Sequence, residues 1–300
     1  MNFSNILSQI EKADPEVYEK LSGRRHVLKS FTSKVAIAAL PFAIGSLFKK
    51  AYGQTTSAVT DALNFALELE YLEYNFYHTA NNTGALIPGS AGVAGNDLAG
   101  FQTIEAQERQ HILFLQNTIL QLGGTPYTPK NYNAAASNPL YVPTAYDFTA
   151  SGTYPVFSSY TTFLIIAQLL EDTGVHAIKG QLAAFLGNAT LFIQGMELQS
   201  TEARHAAHVR LIRRLLGTAL APDYPAPWIN NNIPPAGTPP DQFQAYYLNE
   251  DNVLQNGIKI TGLPDAYSST ATVPQLSATA AFDEAYDKTT VTNLIKAFML

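Results

Sequence analysis

Two short segments of this chain could do metal chemistry: Glu108-Arg109-Gln110-His111 and Glu202-Ala203-Arg204-His205. Each reads Glu-x-x-His. Residues three apart on a helix lie on one face within a single turn, so carboxylate and imidazole can reach the same ion. With thirteen Glu and six His in 300 residues, chance would supply about a quarter of one such pair, and the chain holds two. Two further glutamates sit inside apolar helical runs. Glu171 follows Ile165-Ile166-Ala167-Gln168-Leu169-Leu170, and Glu70 is flanked by Leu67, Leu69, Tyr71 and Leu72. A carboxylate on an apolar face is costly unless it is paired or metal-bound. In chain order the pattern is Glu, Glu-x-x-His, Glu, Glu-x-x-His, which is what a dinuclear iron or manganese carboxylate site draws from the four helices of a bundle.

Other chemically capable residues are weighed against plainer roles. Glu73 lies one turn beyond Glu70 and is the alternative ligand on that helix, whereas Glu68 is on another face and is expected in solvent. His208, three residues after His205, either backs the site or serves packing. His176 lies about 140° around the helix from Glu171, so it is read as a non-ligand. His78 is read as structural. Tyr74 and Tyr77 share the Glu70 face, as redox-active or hydrogen-bonding neighbours of a metal or as core aromatics. Arg204, Arg210, Arg213 and Arg214 are read as a basic half-helix that suits the helix dipole and binds local acids.

Four periodic segments must position these groups. Helices are expected over residues 57–80, 97–122, 158–186 and, with Asn188 as cap, up to Leu216. Glycines and a proline at 84–95 break the first pair, and Gly187 separates the second. The short links imply two antiparallel hairpins. The proline- and tyrosine-rich stretch 125–157 is long enough to travel the length of a bundle. The expected fold is therefore all-α, a four-helix bundle with one long crossover between helices 2 and 3. Beyond Gly217, seven prolines fall between Pro222 and Pro240, and a helix-like run closes the chain at 291–300. This is read as an irregular extension, 218–300, docked on the bundle (54–217) through Trp228, Phe243, Tyr246 and Tyr247.

Charge divides the chain unevenly. Residues 1–53 carry eight Lys/Arg and four Asp/Glu, or +4, against ten and twenty in the remainder, or -10. The acidic body argues against a nucleic-acid partner. The absence of cysteine excludes thiolate ligands, disulfides and Cys nucleophiles. Gly23-Arg24-Arg25-His26-Val27-Leu28-Lys29, the apolar run 35–48 and Ala51-Tyr52-Gly53 have the layout of a twin-arginine export signal. Its apolar run contains Pro41 and is short for a stable span, so cleavage near Gly53 is expected, with uncleaved anchoring as the alternative. The implied destination is the periplasm, the cell envelope or the exterior, with no permanent membrane span and with the twin-arginine export machinery as a partner.

The residues carry a resemblance to the ferritin-like superfamily. Leu63-Asn64-x-x-Leu67-x-x-Glu70, followed by Phe76-Tyr77-His78, is similar to the first helix of bacterioferritins. The branch it most resembles contains desiccation-related plant proteins and secreted bacterial ferritin-like proteins. The cues are Leu69-Glu70-Tyr71-Leu72-Glu73, Glu171-Asp172-Thr173-Gly174-Val175-His176, Glu202-Ala203-Arg204-His205, Glu250-Asp251-Asn252 and Ala281-Phe282-Asp283-Glu284. Carried over position by position, the resemblance implies Glu70, Glu108, His111, Glu171, Glu202 and His205 as ligands of two Fe or two Mn ions, with Glu108 and Glu202 suited to bridging or chelating. Four carboxylates balance two divalent charges, and oxygen donors with imidazole suit those metals better than structural zinc. The expected activity is redox or oxidative-stress chemistry on O2 or peroxide. The rivals are a manganese-catalase-like enzyme and a non-enzymatic envelope or stress-protection protein. A storage cage is disfavoured by the crossover and the tail, while a smaller homo-oligomer is compatible.

Overall fold

The computed structural model describes residues 56–217, 228–229, 231, 243–267 and 270–300. The export-signal reading at 1–53 and all seven prolines from Pro222 to Pro240 lie outside the described residues. Four long helices dominate: α1 (Thr56–Asn81), α2 (Asp97–Gln121), α3 (Tyr160–Gln181) and α4 (Ala189–Leu216). Two short ones follow, α5 (Gln275–Thr279) and α6 (Lys288–Ile295), with a two-residue hairpin of β1 (Leu254–Gln255) and β2 (Ile258–Lys259) between α4 and α5. The chain is mostly helical, an all-α bundle with a C-terminal extension. Among the described residues no helix is long and apolar enough to cross a membrane.

Local chemistry sets the helix starts. Asn96, Ser159 and Asn188 each accept a hydrogen bond from a backbone N–H in the first turn of the helix that follows, satisfying donors that a helix start leaves unpaired. The third helix is shorter than periodicity predicts, because Leu182–Phe185 tightens into a 3-10 turn. Residues 163 to 178 of α3 are buried throughout, so this is the central helix, apolar over most of its surface with Gln168, Glu171, Asp172, Thr173 and His176 as its buried polar residues.

The helices pair as hairpins. Asn64 near the start of α1 donates to Thr125 O beyond the end of α2, and Asn81 at the end of α1 reaches Phe101 O near the start of α2. On α3 and α4, Gln168 meets Arg213 and Asp172 meets Arg210, so these two also run antiparallel. Phe76 of α1 stacks on Phe163 of α3, joining the hairpins.

The crossover is held by asparagines of α1. Buried Asn75 donates to Leu140 O (3.0 Å) and accepts from Val142 N (2.6 Å), and Asn64 Oδ1 accepts from Tyr127 N (2.6 Å). A loop with no ladder of its own must satisfy its buried backbone this way. Its apolar side chains Leu140, Val142, Phe148 and Val156 complete the core.

The tail closes over α3. Phe243, Tyr246 and Tyr247 are buried as expected, but Trp228 is 54% exposed, so its ring adds little docking area. The tail backbone packs against Gly180, where an added Cβ would lie 1.9 Å from Tyr286 O; only glycine admits that approach. His176, read from sequence as a non-ligand, stacks on Tyr286 (4.3 Å between centroids), and its Nδ1 lies 2.6 Å from Glu284 O.

Candidate metal centre

Glu70 comes from α1, Glu108 and His111 from α2, Glu171 from α3, and Glu202 and His205 from α4. The folded chain brings all six into one buried cluster of two overlapping quartets. Glu70, Glu108, His111 and Glu202 form the first, and Glu108, Glu171, Glu202 and His205 the second. In each, one donor atom per residue lies within 4.8 Å of the others. That is slightly wider than the span of opposite ligands around one small ion, roughly 4.2 Å for bonds of about 2.1 Å. Glu108 and Glu202 belong to both quartets, the arrangement required of carboxylates that serve two ions.

The contacts define two halves. His111 Nδ1 lies 3.0 Å from Glu70 Oε2, 3.1 Å from Glu108 Oε2 and 3.3 Å from Glu202 Oε1. His205 Nδ1 lies 2.7 Å from Glu108 Oε1 and 3.4 Å from Glu171 Oε2. The two imidazoles are nearly parallel, 6.2 Å apart. Both turn Nδ1 inward, which leaves the outer nitrogens free for other partners.

Several inward-facing atoms have no hydrogen-bond partner among the described residues: Glu108 Oε1, Glu171 Oε2, both oxygens of Glu202, and His205 Nδ1. The 2.7 Å approach of His205 to Glu108 is close but not aligned as a hydrogen bond. Buried polar atoms are ordinarily satisfied, so a convergent set of orphans needs a partner of another kind. Bound metal would meet that need. The donor set, oxygen with imidazole and no sulfur, fits iron or manganese.

The same crowding moves the protonation equilibria. Burial, together with neighbouring carboxylates, drives Glu70 and Glu73 well above the ordinary range and Glu171 to about 8. Burial would also raise Glu108, but His205 and His111 hold it well below normal. Burial pulls both histidines down, and adjacent carboxylates more than reverse this, so His205 reaches about 11 and His111 rises strongly. Without cations, protons take over part of the charge compensation.

On α1 the structure favours Glu70 over Glu73 for contact with an imidazole. Glu73 is nevertheless buried and borders the centre: its Oε1 and Glu202 Oε2 both lie about 3 Å from the place a Cβ on Gly174 would occupy. Glu68 is only partly buried. Tyr77 donates to Glu171 Oε1 at 2.5 Å, while Tyr74 turns away, stacking on His78 and accepting from Asn138. His78 pairs with Glu105 at 2.6 Å. His208 packs against Phe101, a packing role rather than contact with the cluster.

Sequence reasoning missed two features beside the centre. Arg210 and Arg213 are buried, which the reading of a basic half-helix did not include, although Arg210 binds an acid as that reading expected. Arg210 pairs with Asp172, which also accepts from Tyr247, and Arg213 donates to Gln168. Two polar residues in the apolar run of α3, Gln168 and Asp172, were the available signal. The second feature is Gln107, whose Oε1 lies 2.6 Å from His205 Nε2. Nothing local distinguishes it from other surface glutamines.

A family model described as Ferritin-like domain matches residues 58–215, the four long helices and their crossover. The chain belongs to this ferritin-like family. No curated protein matches it. In this ferritin-like chain the matched region contains every residue of the Glu/His cluster, which could bind metal.

Proposed function

We propose that this ferritin-like protein holds two Fe or two Mn ions through Glu70, Glu108, His111, Glu171, Glu202 and His205, and uses them in redox chemistry on O2 or peroxide. The observation that carries the reading is the pair of overlapping buried quartets sharing Glu108 and Glu202. When bound, such a centre supplies electrons or Lewis acidity to a small oxygen species. The chain's own residues hold the donors and exclude water. The apolar run of α3 shields Glu171, and Tyr77 orients that carboxylate by its hydrogen bond. Reactants would enter beside His111, whose side chain is 12% exposed.

Export belongs to the same proposal. The arginine pair and apolar run within residues 1–53 suit a signal ahead of a bundle that ends near 217, with the remainder as an extension. That organisation, the secreted and desiccation-related branch, and a periplasmic or envelope destination fit together, because a twin-arginine route would carry a bundle already loaded with metal.

The test is elemental analysis of protein refolded with Fe or Mn, beside Glu171→Ala and His205→Ala, with peroxide consumption and dioxygen evolution followed in parallel. Wild type should hold two metal equivalents and each variant should lose at least one. Dioxygen evolution by the Mn form would assign a catalase-like reaction. Metal-free wild type, or unchanged metal in both variants, would sink the proposal in favour of a non-enzymatic protective protein.

A further inference from the structure

The two halves of the centre use the same residue types but are supported differently. His205 points Nδ1 at Glu108 and Glu171, and its outer nitrogen Nε2 lies 2.6 Å from Gln107 Oε1. An amide oxygen only accepts, so Nε2 must carry the proton, leaving the Nδ1 lone pair for a metal ion. The companion carboxylate Glu171 is fixed by Tyr77, whose hydroxyl donates to Oε1 at 2.5 Å. Both ligands of this half are therefore oriented by neighbours outside the cluster.

The other half lacks such support. His111 Nδ1 contacts Glu70, Glu108 and Glu202, but none of the described residues hydrogen-bonds its Nε2. Glu70 has His111 as its hydrogen-bond partner and no other among the described residues. The His111 side chain is 12% exposed against 4% for His205. Contacts behind the ligands fix ring orientation and ligand basicity, and losing one commonly costs 10–100-fold in metal affinity.

We infer that the centre is asymmetric: Glu171 and His205 form a tight, preorganised metal position with Gln107 as its positioning residue, and Glu70 and His111 form a weaker, exchangeable position facing solvent. This rests on the dinuclear reading above and adds an order of filling to it. The first divalent ion occupies the Glu171–His205 side. The second arrives and leaves beside His111, where small molecules also gain access.

The experiment is a Mn2+ titration of the full metal-free chain, followed by calorimetry and by the electron paramagnetic resonance of free Mn2+. Two classes of site are expected, the first at least about tenfold tighter. Gln107→Leu should weaken the first equivalent by about 10–100-fold and spare the second. Gln107→Glu, which keeps an acceptor oxygen, should restore tight binding, and His111→Ala should remove only the weak equivalent. In Zn2+-loaded protein, histidine 15N spectra should show His205 metallated at Nδ1 with a hydrogen-bonded Nε2–H, a signature that Gln107→Leu erases. Two indistinguishable equivalents, or a Gln107→Leu isotherm matching wild type, would overturn the asymmetry while leaving the dinuclear centre intact. If wild type binds no metal, both inferences fall. Should Gln107→Leu fail to fold, the wild-type isotherm and the His111→Ala arm still decide.

Discussion

Gly174 is the position where one methyl group should test the whole centre. It lies on α3, one turn beyond Glu171, and a Cβ placed there would be 2.9 Å from Glu202 Oε2 and 3.0 Å from Glu73 Oε1. Ordinary contact begins near 3.4 Å, so in Gly174→Ala the Glu202 carboxylate must retreat by 3.4 − 2.9, or about 0.5 Å. Metal–ligand distances tolerate only about ±0.2 Å. Because Glu202 belongs to both quartets, both positions should suffer. Affinity should fall by roughly 10–100-fold at each, on the scale seen when ligand orientation is lost. Stability moves by opposing amounts: replacing a helical Gly with Ala gains about 1 kcal/mol, and overpacking costs about 1–3 kcal/mol. The metal-free variant should thus lie between unchanged and about 2 kcal/mol less stable. The assays are the Mn2+ isotherm and the thermal midpoint of metal-free protein. Unchanged affinity together with a midpoint raised by about 2–4 °C, the full propensity gain, would refute the reasoning.

Three further outcomes are expected. Arg210→Met leaves Asp172 buried without its cation and should cost about 3–5 kcal/mol in urea unfolding; the Arg210→Met/Asp172→Leu double variant should recover most of it, and no recovery would mean the pair is not the cause. Asn75→Leu strands Leu140 O and Val142 N, so a loss of about 2–4 kcal/mol and faster proteolysis within 122–159 are expected; resistance equal to wild type would show that the crossover needs no such clamp. Metal affinity should rise with pH. Burial holds Glu171 protonated to about 8, and adjacent carboxylates hold His205 protonated to about 11, so both must release protons to bind. Between pH 6 and 8 the affinity should rise at least about tenfold per unit, while the metal-free protein, whose folded state keeps those protons, should lose stability as pH rises through the same values. Calorimetry in buffers of different ionisation enthalpy would show proton release, and a pH-independent isotherm would contradict it.

Much of this protein is legible without coordinates, because its chemistry is periodic. Glu-x-x-His places two ligands on one helical face whatever the helix packs against. A glutamate amid Ile165, Ile166, Leu169 and Leu170 announces a buried carboxylate for the same local reason. Asn188 and Gly187 mark a helix boundary through backbone chemistry alone. Those features determine an all-α bundle, the order of its ligand-bearing helices and the six candidate donors.

What depends on side chains far apart in the chain needed the tertiary structure. Glu70 and Glu73 are one turn apart, and the sequence names Glu70 with Glu73 as its alternative. Only the approach of α2 puts His111 at 3.0 Å from Glu70 and leaves Glu73 beside Gly174. The basic face expected on α4 divides, with Arg210 and Arg213 drawn inward by Asp172 and Gln168 of α3. Gln107 looks like any surface glutamine until α4 brings His205 to it, and Trp228 looks like a docking anchor until the structure leaves it half exposed. Periodicity along one helix assigns a side chain to a face. Which partner meets that face, and at what distance, is set by packing between helices, and that decides which carboxylate reaches an imidazole and which half of the centre is firmly held.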